Sequence, residues 1–258
     1  AEQWVRAAKL LEGRGDRDGA IERYKAALDA DPKNVSATAA LRAAYSARGD
    51  ASSAVSLIER EIESADGKLA KARLLGEMAK ICRERLKDDA RAEAAAKKAL
   101  ELDNTALDAL VVLGDLAFEA ARFHEAAKHY ENLAARTDVL PKPDATRVLV
   151  RYVDTLSKIN ATEKAVASIE SLLKLAPDDA EAIGRVARVT FDHGEPARAY
   201  ELNKQYFDRF GAQLLGHDRA AALYRLGEAA RRVDKLADAK ALLQEAVDID
   251  PSSTLPLD

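Results

Sequence analysis

The chain has one cysteine, one methionine, one tryptophan and four histidines. Each shortage removes a kind of chemistry. A lone Cys82 forms no intrachain disulfide and builds no cysteine-based zinc site. In "MAKICRERL" it reads as a small buried hydrophobe. His124, His129, His193 and His217 share no i, i+4 spacing and no H-E-x-x-H pattern, so no metal site is expected. His124 and His129 point to different faces of a helix and read as solvated. No apolar run approaches the ~18 residues a membrane span needs. Walker A, G-x-G-x-x-G and G-x-S-x-G loops are absent. "GRGDRDG" (Gly13 to Gly19) has the composition of a calcium loop but lacks the closing glutamate, and its RGD tripeptide reads as a chance match. These absences lead to an expectation of no cofactor, no metal and no enzymatic activity.

Charge excludes less. Forty basic and 44 acidic residues, with both signs interspersed, leave a formal charge of -4. That argues against a nucleic-acid binder working through a bulk positive field. With neither an initiator Met nor a signal peptide, the chain reads as a piece of a longer protein. A cytoplasmic location is the favoured expectation and a periplasmic one the alternative.

What is abundant is helix former. The chain is 48% hydrophobic and 33% charged but only 5% aromatic. Ala, Leu, Glu, Lys and Arg dominate it, and strand-forming runs are scarce. An all-α protein with close, alanine-rich helix contacts is expected. The Ala- and Arg-rich style also suggests a high-GC bacterial genome.

One ending is written four times: "ALDADPKN", "ALELDNTA", "LLKLAPDD" and "AVDIDPSS". Counting back from Pro32, Pro177 and Pro251 gives the same offsets each time. A large residue stands at place 4, usually another at 7 and a small one at 8, then alanine at 20, a large one at 24 and proline at 32. Places 4, 7, 8 and 11 make one stripe on a first helix, and 20, 24 and 27 one on a second. Small residues let the two helices approach, and proline ends the second. Trp4, at place 4, is expected in the core. In "ALVVLGDLAFEAARFHEAAKHYENLA", residues Leu110, Leu113, Gly114, Ala117, Phe123, Ala126 and Tyr130 occupy places 4, 7, 8, 11, 17, 20 and 24.

This pattern resembles the tetratricopeptide repeat, a helix-turn-helix unit of about 34 residues. About seven repeats begin near Ala1, Val35, Leu69, Leu107, Thr146, Ala180 and Ala220. The resemblance implies a right-handed α-solenoid of antiparallel helix pairs, and the chain reads as one such solenoid over 1–258. Three departures stand out. The second repeat carries Thr38, Arg42 and Glu61 at places 4, 8 and 27. The third is longer by about one helical turn. "TDVLPKPDA" (Thr137 to Ala145) and "FGAQLLGHD" (Phe210 to Asp218) are insertions expected to be loops.

The resemblance implies function through surface. First helices line a concave groove that binds a peptide, helix or small domain. The leading expectation is a protein-interaction scaffold. Alternatives are a regulatory or substrate-presenting arm of a larger enzyme, and self-association through exposed repeat ends. Val111 and Val112, at inward places of the fourth repeat, read either as packed against a neighbouring helix or as an apolar groove floor. Place 6 is arginine in Arg6, Arg151, Arg185 and Arg225. Arg147, Arg188 and Tyr224 stand at other inward places. Arg147, Arg151, Arg185, Arg188, Tyr224 and Arg225 are therefore the candidate partner-binding residues, suited to an acidic protein segment. The competing account pairs these arginines with Asp154, Glu181 and Glu228 merely to keep the groove soluble.

Overall fold

A computed structural model of the chain describes residues 1–251, apart from the side chain of His193. Among the described residues there are fourteen α-helices and no strand. They are α1 (Glu2–Gly13), α2 (Arg17–Ala30), α3 (Val35–Arg48), α4 (Ala51–Ser64), α5 (Lys68–Ile81), α6 (Asp89–Leu102), α7 (Leu107–Glu119), α8 (Phe123–Ala134), α9 (Lys142–Lys158), α10 (Thr162–Leu175), α11 (Ala180–His193), α12 (Pro196–Phe210), α13 (Gly216–Arg232) and α14 (Leu236–Ile249). They fall into two compact units, Ala1–Ala120 and a second beginning at Ala121.

Within the first unit α1 packs on α2, α3 on α4 and α5 on α6; within the second α9 packs on α10, α11 on α12 and α13 on α14. The stripes behave as the repeat pattern predicts. Ala8, Ala20, Tyr24 and Ala27 meet Ala37 and Leu41 in one core cluster of the first unit. Ala165, Ile169 and Leu172 of α10, Ile183 of α11 and Leu223 of α13 are buried in the second. At place 8 of the last repeat, a β-carbon on Gly227 would come within 2.8 Å of the Leu243 side chain. Smallness there is what lets α13 and α14 close together. Val112 is buried and Val111 half-buried. Val112 belongs to the buried core cluster of the first unit, which favours the packed reading for that residue.

The repeated endings act as punctuation. After Pro32, Asn34 caps α3 by accepting from the Ala37 N–H at 2.9 Å. After Pro177, Asp179 caps α11 through the Ala182 N–H at 2.8 Å. Between the two helices of a repeat, place 15 is left-handed in the second, fourth, fifth and seventh: Gly49, Ala121, Asn160 and Asp234. Gly15 does the same in the first repeat, and Lys87 in the third when that repeat is counted from Arg73. A side chain in this conformation costs roughly 1 kcal/mol. Lys87→Gly should therefore raise stability by about 0.5 kcal/mol after the added freedom of the unfolded chain is subtracted. A chemical-denaturation midpoint at or below that of the parent would contradict this.

The long third repeat has a local cause. A π-helical turn over Cys82–Leu86 continues α5, and Lys87 then ends it. The additional residues are thus absorbed in the first helix of that pair. Cys82 is fully buried in the core cluster, and burial pushes its thiol pKa up.

Four expectations need correction. The two insertions are not loops throughout: α9 begins at Lys142 and α13 at Gly216, so the end of each insertion adds a first turn. Pro143 sits in that turn of α9, where a missing N–H costs nothing, and Asp144 and Asp218 suit the positive end of the helix. Gly211–Gln213, in the second insertion, forms a short 3-10 turn. Trp4 is not in the core; it is 40% exposed, with the Arg23 guanidinium 5.0 Å over its ring. Among the described residues only α2 packs closely on α1, so that flank stays open. His129 is half-buried rather than solvated, and burial lowers its pKa. His193 lies outside the described side chains.

The degenerate second repeat has its own logic. Arg42, at the place where a small residue belongs, reaches Glu61 of α4 and Glu77 of α5. Its Nε lies 3.3 Å from Glu61 Oε1, and its Nη1 bonds Glu77. Three charged groups replace an apolar contact, and burial raises the Glu61 pKa despite the neighbouring cation.

Candidate functional site

The first helices of the last three repeats are α9, α11 and α13, and the six candidate residues lie on them. α9 and the start of α11 enclose a groove of about 740 Å³. Arg147, Arg151 and Arg185 line it, with Lys142, Val150 and Asp154 from α9 and Pro177, Asp178 and Glu181 opposite. The additional first turn of α9 is what delivers Lys142 and Pro143 to the rim. The turn before α11 is held in place by Arg209 of α12, which donates to the Pro177 carbonyl at 2.7 Å and to Asp178 at 2.6 Å.

Charge on this face is mixed: Lys142, Arg147, Arg151 and Arg185 share the groove with Asp154, Asp178, Asp179 and Glu181. Asp154 is half-buried, and its nearest cation is Arg185 at 3.1 Å. Arg188, Arg151 and Lys158 also act on it. Burial still outweighs these cations and raises its pKa. Glu181 adds only a loose contact to Arg185 at 3.9 Å. The soluble-groove account is met in part, since Asp154 and Glu181 do pair with Arg185. It fails for Glu228, which pairs with Arg231 at 2.9 Å.

The remaining candidates separate. Arg188 is exposed on α11. Arg225 is half-buried on α13, and its Nε is buried with no hydrogen-bond partner among the described residues. Burial lowers its pKa, and Arg188 pushes the same way. Tyr224 does not join them. Adjacent helical residues point about 100° apart, and the Tyr224 hydroxyl acts instead on Arg231. Tyr206 of α12 instead packs against this face beside Gly184. Sequence reasoning missed it. Its trace was Gly184 at an inward place: a β-carbon there would come within 2.9 Å of the Tyr206 ring. Arg6 is exposed on α1 of the first unit. Among the described residues no cluster of three or more His, Cys, Asp or Glu could hold a metal ion, and no helix is long and apolar enough to cross a membrane.

Known proteins bear on this geometry. A tetratricopeptide repeat profile matches residues 5–68 and 111–180, and a second profile of that repeat matches 220–253. The Protein CTR9 homolog of Arabidopsis thaliana is 32% identical over 118 residues, which is 45% of this chain and 10% of that protein. The chain therefore spans about a tenth of that relative's length. Among solved structures, YrrB, described as a TPR protein with an unusual peptide-binding site, is 20% identical. It superposes with a TM-score of 0.62 over 75% of this chain and 92% of its own. The C-terminal part of a TPR repeat-containing protein from Cytophaga hutchinsonii is 18% identical, with a TM-score of 0.61 over 96% of each chain. The fold shared with these is the right-handed α-solenoid of helix pairs.

Proposed function

The chain belongs to the tetratricopeptide repeat family, and from that premise we propose that it is a scaffold whose second unit binds an acidic segment of a partner protein. The reading takes both units as one repeat array and assigns the array no reaction. The binding surface is the arginine-bearing face of α9, α11 and α13. One observation carries this: a single half-buried carboxylate, Asp154, stands among Arg185, Arg188, Arg151 and Lys158. An acidic segment would offer these cations further partners, and guanidinium forks suit carboxylates. The groove beside it gives an extended segment room for apolar contact with Pro143 and Val150. The peptide-binding site of YrrB supports a peptide ligand by analogy.

A second reading follows from the match to a tenth of a longer relative. There the array is the presenting arm of a larger protein, and the same face holds a segment of another chain for it.

Photocrosslinking separates a specific face from general stickiness. A benzoylphenylalanine placed at Thr146, on the groove, should label a glutamate-rich peptide. The same probe at Glu170, exposed on α10, should not. Equal labelling from both positions would sink the proposal.

A further inference from the structure

We infer that the groove between α9 and the start of α11 selects the order of charges along its ligand, and takes an extended segment in which acidic and basic residues alternate. The inference rests on the scaffold reading and sharpens its acidic segment into a pattern.

The two walls of this groove differ in sign. Lys142, Arg147 and Arg151 stand on α9, while Asp178, Asp179 and Glu181 stand on the turn before α11 and on its first residues. Val150 and Ala176, both buried, add apolar floor. Further along α9 the signs cross over and the walls join, where Asp154 of α9 meets Arg185 of α11 at 3.1 Å. Both walls are open to a ligand. Lys142 and Arg147 are exposed and Arg151 is half-buried. Asp179 is engaged in capping α11, so Asp178 and Glu181 carry the acidic wall. Their side chains remain 86% and 76% exposed, although Arg209 holds Asp178 at 2.6 Å.

Spacing turns this polarity into a pattern. Arg147 and Arg151 stand about one helical turn apart, a rise of about 6 Å along α9. In an extended segment neighbouring side chains point to opposite sides, and alternate ones, on the same side, are about 6.7 Å apart. Two alternate acidic residues therefore match the two arginines, and the residue between them faces the other wall. A basic residue there meets Asp178 or Glu181, whereas an acidic one meets like charge. A uniformly acidic segment thus turns half of its carboxylates toward carboxylates. From Lys142 to Arg151 α9 rises about 14 Å, the length of about four extended residues, so the groove spans two acid–base pairs of such a ligand. The turn that carries the acidic wall is held by Arg209, which also donates to the Pro177 carbonyl at 2.7 Å. A wall fixed before binding loses little entropy when the ligand arrives.

The test is a fluorescence-anisotropy titration with labelled, end-blocked hexapeptides at about 0.15 M salt, where long-range attraction is screened. Glu-Lys-Glu-Lys-Glu-Lys and Glu-Glu-Glu-Lys-Lys-Lys share one composition and carry no net charge, so only the order of charges differs. The alternating peptide should bind about tenfold more tightly than the blocked one, and more tightly than hexaglutamate. Glu181→Lys should weaken the alternating peptide by about fivefold and strengthen hexaglutamate. Glu181 makes a loose 3.9 Å contact to Arg185, so this variant keeps its fold. Equal affinity for the two mixed peptides overturns the charge pattern, and so does tighter binding of hexaglutamate than of the alternating peptide. The scaffold reading survives either result if Arg147→Glu combined with Arg151→Glu weakens hexaglutamate binding. No binding of any of the three peptides overturns both claims.

Discussion

Tyr24→Ala should cost the first unit about 4 kcal/mol, the usual range for deleting a buried aromatic ring. Tyr24 is 1% exposed and packs with Ala8, Ala20, Ala27 and Leu41 in one cluster. Deletion opens a cavity between α2 and its neighbours α1 and α3, and the short alanines on its walls cannot extend to refill it. The hydroxyl matters less. It donates to the Glu12 carboxylate at 2.9 Å, and burial with that carboxylate pushes its pKa up to about 12. Glu12 is exposed and regains water when the bond is lost. Tyr24→Phe should therefore cost only about 1 kcal/mol. Denaturant unfolding gives both values, and hydrogen exchange should place the loosening in α1 to α3. Equal losses for the two variants would show that the hydrogen bond, not the ring, carries the site.

Arg42→Ala should cost about 3 kcal/mol at pH 7.5, because it strands the Glu61 charge in a poorly hydrated place. The figure sits at the low end of the range for buried pairs, since the Arg42 and Glu61 side chains remain 21% and 20% exposed. Its pH dependence identifies the cause. The Glu61 pKa is already raised in the folded protein, mainly by burial and further by Glu77, against the pull of Arg42. Removing Arg42 raises it more. A group with a raised folded pKa binds more protons folded than unfolded. Its stabilising contribution is present below the unfolded pKa and lost as pH rises through the folded one. The penalty of Arg42→Ala relative to parent should accordingly shrink toward pH 5 and grow toward neutrality. Arg42→Ala combined with Glu61→Leu should recover most of it. A penalty independent of pH would mean that the aliphatic stem of Arg42, not its charge, holds the contact.

The repeat was legible because it rests on spacing. Places 8, 20 and 24 can be read one helix pair at a time, and Ala8, Ala20, Tyr24, Ala165 and Ile169 are buried where the period puts them. The helix starts at Val35, Leu107 and Ala180 match the repeat count as well. The misses lie where an outcome depends on more than one pair. Trp4 obeys the period, but burial at its place also needs a covering neighbour. Lys142 and Gly216 extend their helices because local capping chemistry suits a helical turn, although proline and glycine read as loop. Arg42 and Glu61 looked like degeneration because each is wrong alone; only their contact across α3 and α4 makes them complementary. On the candidate face, place 6 identified three arginines of the second unit. Which of them were already paired depended on side-chain reach, so Arg185 and Arg225 could not be told apart. Tyr206 sits on a second helix, outside the inward places, and only the gap at Gly184 betrays its approach.

The central claim is that the arginines of α9, α11 and α13 bind an acidic protein segment, and charge reversal tests it most directly. Arg151, Arg185 and Arg225 are each replaced by glutamate in one protein, and its melting midpoint is compared with the parent's. Both are then titrated with a labelled hexaglutamate peptide at low and high salt. The account predicts a folded variant whose affinity falls about a hundredfold, with a salt dependence much flatter than the parent's. A folded variant with the parent's affinity and the parent's salt response would contradict it.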